Sequence, residues 1–191
     1  MTDDHGNQAY RDPYLYRTGG ALKNRLGLRD PVALERFELE MTGLRSLEPL
    51  PAGPLTAAHY KRLHRHLFQD VYAWTGRYRT VRMSKGGSVF CFPEHVPAAM
   101  DALFAGIRAG PPTGPGFAGR AAEILAELNA IHPFRDGNGR AQLTLLRQMA
   151  DLAGVDLDLG RIAPAPFLTA MVQSFAGEFE PLLDQIAGLI E

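Results

Sequence analysis

Apolar residues recur every three or four positions through most of the chain, which predicts amphipathic helices. The first such segment, over about residues 31–47, follows Asp30 and begins with Pro31, two signals of a helix start. Its apolar repeat consists of Leu34, Phe37, Met41 and Leu44. The other segments with a helical period cover about residues 57–71, 96–109, 117–130, 138–153, 164–175 and 179–190. The pattern predicts an all-α protein that is mainly a helical bundle.

One segment departs from the helical period. Residues 77–92 alternate between polar and apolar around Lys85, Gly86 and Gly87, which predicts a β-hairpin with a glycine turn. A two-stranded hairpin alone is marginal in water, so we expect it to lie against helices with one edge free.

The 191 residues are expected to form one compact domain. Residues 1–30 are polar and interrupted by glycines, which indicates an N-terminal extension. Residues 31–191 contain no internal repeat, and we interpret them as a single domain that carries the hairpin at about residues 77–92.

Composition excludes several classes of protein. The net charge of −1 argues against nucleic acid or an anionic membrane as a partner. The single cysteine, Cys91, excludes an internal disulfide. No apolar run of 18 residues and no apolar leader are present, so we expect a cytoplasmic protein, with secretion into another cell left open.

A loop dense in reactive residues lies between two predicted helices, with the sequence HPFRDGNGR over residues 132–140. Pro133 ends the preceding helix, and Gly137 and Gly139 accept positive φ. A glycine-rich loop that opens a helix points backbone N–H groups at one spot, where the helix dipole adds positive potential. The loop therefore predicts an anion site suited to phosphate.

Four side chains of this loop are candidates for phosphate chemistry. Arg140 is suited to clamp phosphate oxygens, and Asp136 is suited to hold Mg²⁺ together with those oxygens. Asn138 is suited to orient a phosphate or Asp136. His132, with an ordinary pKa of about 6.5, is suited to take a proton from a hydroxyl. The alternatives are a phosphoryl or nucleotidyl transferase, or a simple tight turn capped by His132.

The same residues resemble a known family. HPFRDGNGR is similar to the signature of Fic-domain proteins, H-P-F-x-D/E-G-N-G-R-x-x-R. Four further stretches resemble bacterial Fic proteins: RDPYLY at 11–16, LKNRLGL at 22–28, HRHLFQDVYAWTGRYRTV at 64–81 and MVQSFAGEFEPL at 171–182. The resemblance covers nearly the whole chain.

The resemblance implies a helical Fic fold with the hairpin as a flap over the active site. It implies transfer of AMP from ATP–Mg²⁺ to a Ser, Thr or Tyr hydroxyl of a target protein. His132 would be the general base and Asp136 the Mg²⁺ ligand. The residues that would hold the donor phosphates are Gly137, Asn138, Gly139 and Arg140.

The resemblance also assigns structural and docking roles. Phe134 would point into the core and brace the loop. The free edge of the flap is suited to take an extended segment of the target protein as an added strand. Lys85, Gly86 and Gly87 would form the tip of the flap, and the alternative for Lys85 is a solvated turn lysine.

The chain departs from the signature at its last arginine, where it has Leu143. In the family that arginine contacts the γ-phosphate and pairs with an inhibitory glutamate, and Arg147, one turn further on, would replace it only in part. Two alternatives to AMP transfer from ATP therefore stay open. One is a Fic-fold enzyme that uses UMP or another phosphate-linked donor, and the other is a weakly active regulatory binding module. A kinase-like enzyme is disfavoured because Gly137 and Gly139 are both intact.

Regulation by a separate small antitoxin protein is the expectation, as for a bacterial toxin or effector. Inhibition in the family uses a helix with S/T-x-x-x-E-G/N. The one partial match is residues 174–178, and Phe179 stands where Gly or Asn is needed.

Some remaining side chains are assigned to packing or to the surface. The second predicted helix carries three histidines at a spacing that does not suit a zinc site, namely His59, His64 and His66. Tyr60 and Tyr78 are predicted to be exposed and thus candidates for self-modification.

Overall fold

A computed structural model describes residues 12–18, 20–85 and 88–191. Its α-helices are α1 Pro31–Ser46, α2 Ala57–Phe68, α3 Val96–Ala109, α4 Phe117–Ile131, α5 Asn138–Ala153, α6 Pro164–Phe175 and α7 Glu180–Ala187. Short 3₁₀ turns cover Gly114–Gly116 and Leu159–Arg161. The prediction of a mainly helical bundle is confirmed.

Helix α4 lies at the centre of the bundle and contacts α3, α5, α6 and α7. Apolar residues cover most of its circumference, so it is buried on several sides. Phe117, Ile124, Leu125 and Leu128 have no exposed surface. This helix therefore fixes the position of the loop that follows it.

A second apolar cluster lies between the N-terminal segment, α1 and α2. Its buried members are Ala21, Leu22, Leu34, Leu67, Phe68, Val71 and Tyr72. Residues 12–18 and 20–28 thus pack on the helices, and Leu15 forms an isolated bridge with Leu22. The division into an extension over 1–30 and a domain over 31–191 stays a prediction.

The buried face of α1 overlaps its apolar repeat only in part. Leu34, Glu38 and Thr42 are buried at a spacing of four, whereas Leu44 is 55% exposed. Leu44 belongs to the apolar repeat but lies outside the buried face. Glu38 and Thr42 occupy that face because Arg140 of α5 donates hydrogen bonds to both.

The hairpin consists of two short antiparallel strands, β1 Ser84–Lys85 and β2 Ser88–Val89. Gly86 and Gly87, the predicted turn, lie outside the described residues. A flap with strands across all of residues 77–92 was expected, and the paired strands are much shorter.

The segments that flank the strands bond to another part of the chain. The Arg79 N–H donates to the Pro133 carbonyl at 2.9 Å, and the Cys91 N–H donates to the Ala130 carbonyl at 3.0 Å. These bonds replace a longer ladder between the two legs of the hairpin. They also fasten the hairpin to the loop between α4 and α5.

Among the described residues, none of the helices combines the length and the apolar character that crossing a membrane requires.

Candidate active site

The loop between α4 and α5 is shaped by two residues in the left-handed region. His132 follows the last turn of α4 with φ 47° and ψ 62°, and its N–H donates to the Leu128 carbonyl. Gly137 precedes α5 with φ 79°. His132 is the one residue other than glycine with positive φ in the described parts of the chain. Such geometry is costly and is often found at functional sites.

Gly137 is required for a second reason. A Cβ on this residue would lie 2.4 Å from Cζ of Phe68, which has no exposed surface itself. The ring of Phe68 therefore lies directly under the turn that begins α5. No other residue type fits this position without a shift of α2.

Asn138 closes the loop with its side chain. Its Oδ1 accepts from the Phe134 N–H at 2.9 Å, and its Nδ2 donates to the Phe134 carbonyl at 2.8 Å. The side chain is therefore committed to the loop, and Phe134 points into the core with no exposed surface. What Asn138 offers to the cleft is its backbone N–H at the start of α5.

A cleft of about 550 Å³ runs between this loop and the flap. The predicted site residues of the loop all line it: His132, Asp136, Gly137, Asn138, Gly139 and Arg140. Lys85 lines the same cleft from β1, together with Phe90 and Leu143. The side chains predicted for base, metal and phosphate thus meet in one cavity beneath the flap, while their roles stay predictions.

His132 is held so that its ring is neutral. Phe90 of the flap stacks on the ring with centroids 3.9 Å apart and planes 14° apart. Burial, and next the charge of Arg79, lower the pKa of His132 to about 4. Its Nδ1 is buried and makes no hydrogen bond of regular geometry to a described residue, although a backbone contact with Asn129 partly opposes the lowering of the pKa.

Asp136 is the candidate metal ligand. Its Oδ1 accepts from the Gly137 N–H at 2.6 Å, and the residue borders the cleft. The described residues contain no group of three or more His, Cys, Asp or Glu side chains arranged around a common point. A single carboxylate beside a phosphate site fits Mg²⁺, which is usually held by one or two carboxylates, waters and substrate oxygens.

Arg140 is anchored on the side away from the cleft. One Nη donates to Glu38 of α1, and the other donates to Oγ1 of Thr42 at 3.3 Å. Its guanidinium carbon lies 4.5 Å from the centre of the Phe68 ring. The side chain nevertheless keeps 36% of its surface exposed and borders the cleft.

Two supporting residues were not predicted as part of the site. His64 is buried against the ring of Phe134, donates from Nε2 to the Asp136 carbonyl and accepts the Gly76 N–H at Nδ1. Burial lowers its pKa to about 4, which agrees with a neutral ring in these roles. Its classification as a packing histidine was therefore correct but incomplete.

The second supporting residue is Arg79, whose side chain is buried with 2% of the residue exposed. Its Nε donates to the His132 carbonyl at 2.7 Å, and an Nη donates to the Ile131 carbonyl at 3.2 Å. Further bonds run to the carbonyls of Val81 and Cys91 on the two legs of the flap. Three arginines, Arg77, Arg79 and Arg82, lie in the segment over residues 77–92, and only the fold shows that Arg79 is the buried one.

Leu143 lies at the border between the cleft and a neighbouring cavity of about 330 Å³. Five leucines contribute to the lining of that cavity, and Arg140 and Arg147 border it as well. The position of the family's last arginine is therefore occupied by an apolar wall.

The prediction for Tyr60 was wrong. Tyr60 has no exposed surface and stacks near Phe134, while the hydroxyl of Tyr78 is also buried. Both rings lie beside Phe134 of the loop, Tyr60 from the apolar face of α2 and Tyr78 from the segment before the flap.

Sequence comparison places this site in a family. The family model described as "Fic/DOC family" matches residues 54–150. A "probable protein adenylyltransferase y4lH" of Sinorhizobium fredii is 43% identical over 187 residues, which cover 95% of this chain and 97% of the relative. "Probable protein adenylyltransferase Fic" of Escherichia coli is 36% identical over 163 residues, with 82% and 80% of the two chains covered. The chain belongs to the Fic/DOC family.

Solved structures agree on the fold. BepC of Bartonella tribocorum with bound AMPPNP has a TM-score of 0.86 at 24% identity, covering 93% of this chain and 96% of that one. The N-terminal Fic domain of a Bartonella quintana protein with bound ADP has a TM-score of 0.84 at 25% identity, covering 93% and 94%. Both are Fic-fold chains crystallised with an adenine nucleotide.

Proposed function

We propose that this protein is a protein adenylyltransferase that moves AMP from ATP to a Ser, Thr or Tyr hydroxyl of a target protein. The observation that carries the proposal is the single cleft in which a neutral histidine faces a glycine-rich helix N-terminus and an arginine. The names of the curated relatives, which match nearly the full chain, support the same activity.

The proposed reaction uses the chain's own groups as follows. Backbone N–H groups of Asn138 and Gly139 and the side chain of Arg140 bind the donor phosphates, while Gly137 forms the turn that presents them. Nε2 of His132 takes the proton of the target hydroxyl, whose oxygen forms a bond to the α-phosphorus of ATP. The bond between the α-phosphorus and the bridging oxygen breaks, and pyrophosphate leaves with the electron pair.

Mg²⁺ is part of the proposal, with Asp136 as its protein ligand. When bound, the ion would neutralise charge on the phosphates and on the leaving pyrophosphate. The support from this chain is the position of the Asp136 carboxylate beside the phosphate site. Removal of Mg²⁺ with a chelator is expected to stop transfer.

The target is proposed to dock on the flap. Lys85 borders the cleft, and Val89 on the opposite strand is 58% exposed, so the flap offers an apolar contact next to the reaction site. An extended segment of the target would add to the free edge of β1 or β2. Gly86 and Gly87 are expected to form the tip.

The test is a modification assay in dialysed cell lysate with the wild-type protein and the His132→Ala variant. We expect an AMP adduct on a target protein with the wild type and its loss with the variant, because the base is removed. His95→Ala, at an exposed histidine before α3, is the matched control and should keep full activity. Unchanged modification by His132→Ala would contradict the assignment of the base.

A second candidate is the same transfer with another donor. Leu143 supports it, because it lines the cleft where the family has a cation for the γ-phosphate. The lysate assay is therefore run with ATP, UTP, CTP and GTP separately, and the adduct mass identifies the donor. An adduct from a pyrimidine nucleotide alone would replace ATP in the proposal.

Regulation by a separate antitoxin also belongs to the proposal. Glu178, the nearest match to an inhibitory glutamate within the chain, is exposed and does not line the cleft. An inhibitor from another protein is thus favoured over one from this chain. A cytoplasmic location, where ATP is available, completes the proposal.

A further inference from the structure

The buried face of α1 carries a glutamate and a threonine that the proposed reaction does not use. Glu38 is 8% exposed and Thr42 is 4% exposed. A glutamate is almost never buried unless it is paired. The residues that meet Glu38 therefore indicate why this face of α1 is polar.

The two carboxylate oxygens of Glu38 have different partners. One accepts from an Nη of Arg140, and the other accepts from the hydroxyl of Tyr72. Tyr72 is 2% exposed and packs in the second cluster, and burial raises the pKa of its hydroxyl, which keeps the proton it donates. Tyr72 thus fixes the carboxylate oxygen of Glu38 that does not bind Arg140.

Arg140 is held from three directions. Glu38 binds one Nη, Thr42 accepts from the other, and the ring of Phe68 lies beneath the guanidinium. The ring of Phe68 also fills the space beside Gly137. One set of contacts therefore sets the distance between the arginine and the glycine turn.

The geometry allows Arg140 to bind phosphate without release from Glu38. A guanidinium has five N–H donors, and the contacts with α1 use one donor on each terminal nitrogen. The exposed part of the side chain borders the cleft. Since Glu38 is fixed by Tyr72 and does not line the cleft, it orients the arginine and does not occupy the phosphate position.

We propose that Glu38 is a positioning residue of the donor site, which holds Arg140 ready for the phosphates of the nucleotide. This inference rests on the proposed function. Without the carboxylate, the long arginine side chain has to be ordered when the nucleotide binds, and that cost weakens binding. Loss of the partners that orient metal ligands typically costs about 10–100-fold in affinity or activity, and we expect a loss at the lower end of that range here.

The test measures ATP binding by calorimetry with purified wild type, Glu38→Gln and Glu40→Gln. Glu38→Gln keeps the size and an acceptor for Tyr72 but removes the charge that orients Arg140. We expect its Kd for ATP to rise about tenfold. Glu40→Gln alters an exposed glutamate of the same helix and should stay within about twofold of wild type.

A second readout separates positioning from a general loss of structure. In the lysate assay, the ATP concentration for half-maximal modification should rise for Glu38→Gln, while the rate at saturating ATP stays within about twofold, since bound phosphates then order Arg140. Tyr72→Phe, which removes only the hydroxyl that fixes Glu38, should show the same split with a smaller rise. A merely damaged fold would lower the saturated rate as well.

Each outcome has one meaning. If wild type binds ATP and Glu38→Gln binds equally well, Glu38 does not position Arg140. If Glu38→Gln binds more tightly, or modifies its target faster at saturation, Glu38 competes with the nucleotide and the inference is overturned. If wild type binds no ATP, the proposed function fails, and the inference fails with it.

Discussion

His132, the candidate general base, has a pKa well below the ordinary value for histidine. Its pKa is lowered to about 4 by burial and by the charge of Arg79. A histidine ring loses its proton above its pKa, so this ring is mostly neutral above about pH 4. His132 is thus ready to accept a proton throughout the physiological range.

This lowered pKa predicts the pH dependence of transfer. As pH falls through about 4, the ring of His132 takes up a proton and can no longer act as a base, so kcat/KM should drop tenfold per pH unit below that value. Between about pH 5 and pH 8, the protonation of His132 should cause no change in kcat/KM. An inflection near the ordinary histidine pKa of about 6.5 would contradict it.

Gly137 yields a prediction about stability. Gly137→Ala places a Cβ against Phe68 and forces an alanine into positive φ, so we expect a loss of about 2–4 kcal/mol in the free energy of unfolding. Gly139→Ala is the control, because no described atom lies within 4 Å of its added Cβ. Urea denaturation of both variants measures the difference, and equal stability would show that Phe68 moves aside freely.

At the residue scale the sequence predicts what is local. The members of the loop are contiguous, so their convergence follows from one turn before α5. Glu38 and Arg79 come from distant parts of the chain, and their contacts depend on tertiary packing. For Glu38 the sequence does contain a signal, since Leu34, Glu38 and Thr42 are spaced to lie on one face of a helix. Buried polar residues on such a face need a hydrogen-bonding partner.

Among the elements, the flap depends on Arg79 more than on its own strands. Only two residues in each strand pair, while Arg79 bonds to carbonyls of both legs and of the catalytic loop. A single planar guanidinium with five donors is required for this set of contacts. The flap and the histidine are therefore held by the same side chain.

Arg79→Lys tests this arrangement. A lysine keeps the charge but has a point-like ammonium that does not reach all four carbonyls, so we expect transfer to fall about 10–100-fold. Arg77→Lys, at an exposed arginine two residues earlier, is the matched control and should have little effect. Comparable activity of the two variants would remove Arg79 from the supporting structure of the site.

The existence of the helices was predictable from their period, and their ends mostly from caps and prolines. The length of the flap strands was not, because alternation of side chains does not say which carbonyl an N–H will meet. Backbone N–H groups of Arg79 and Cys91 pair with the α4–α5 loop. Such long-range pairing depends on the final packing and leaves no local pattern.

For the molecule as a whole, two apolar clusters meet under the active site. The larger one surrounds α4, and the smaller one joins the N-terminal segment to α1 and α2. The Asp12 carboxylate also accepts from Arg135 in the loop between α4 and α5 at 2.8 Å. An ion pair thus joins the described part of the N-terminal segment to the loop between α4 and α5.

Leu22→Ala tests the contribution of this segment. Leu22 is 8% exposed in the smaller cluster, so its truncation should lower the free energy of unfolding by about 2–3 kcal/mol. Leu26→Ala is the control, since Leu26 is 58% exposed and its loss should be nearly neutral. Chemical denaturation of the purified variants gives both values, and equal effects would show that the segment adds little to stability.

The chain has one tryptophan, and its place gives the protein an optical reporter. Trp74 stacks on Tyr72 with ring centres 4.5 Å apart, and Tyr72 is bonded to the glutamate that holds Arg140. A bound nucleotide would bring negative charge to Arg140 without breaking these contacts, and we expect this change in charge to alter the emission of Trp74. Titration of the unlabelled protein with ATP would show this change, and a Trp74→Phe variant would be silent while still binding. The donor site can thus be followed in real time by its intrinsic fluorescence.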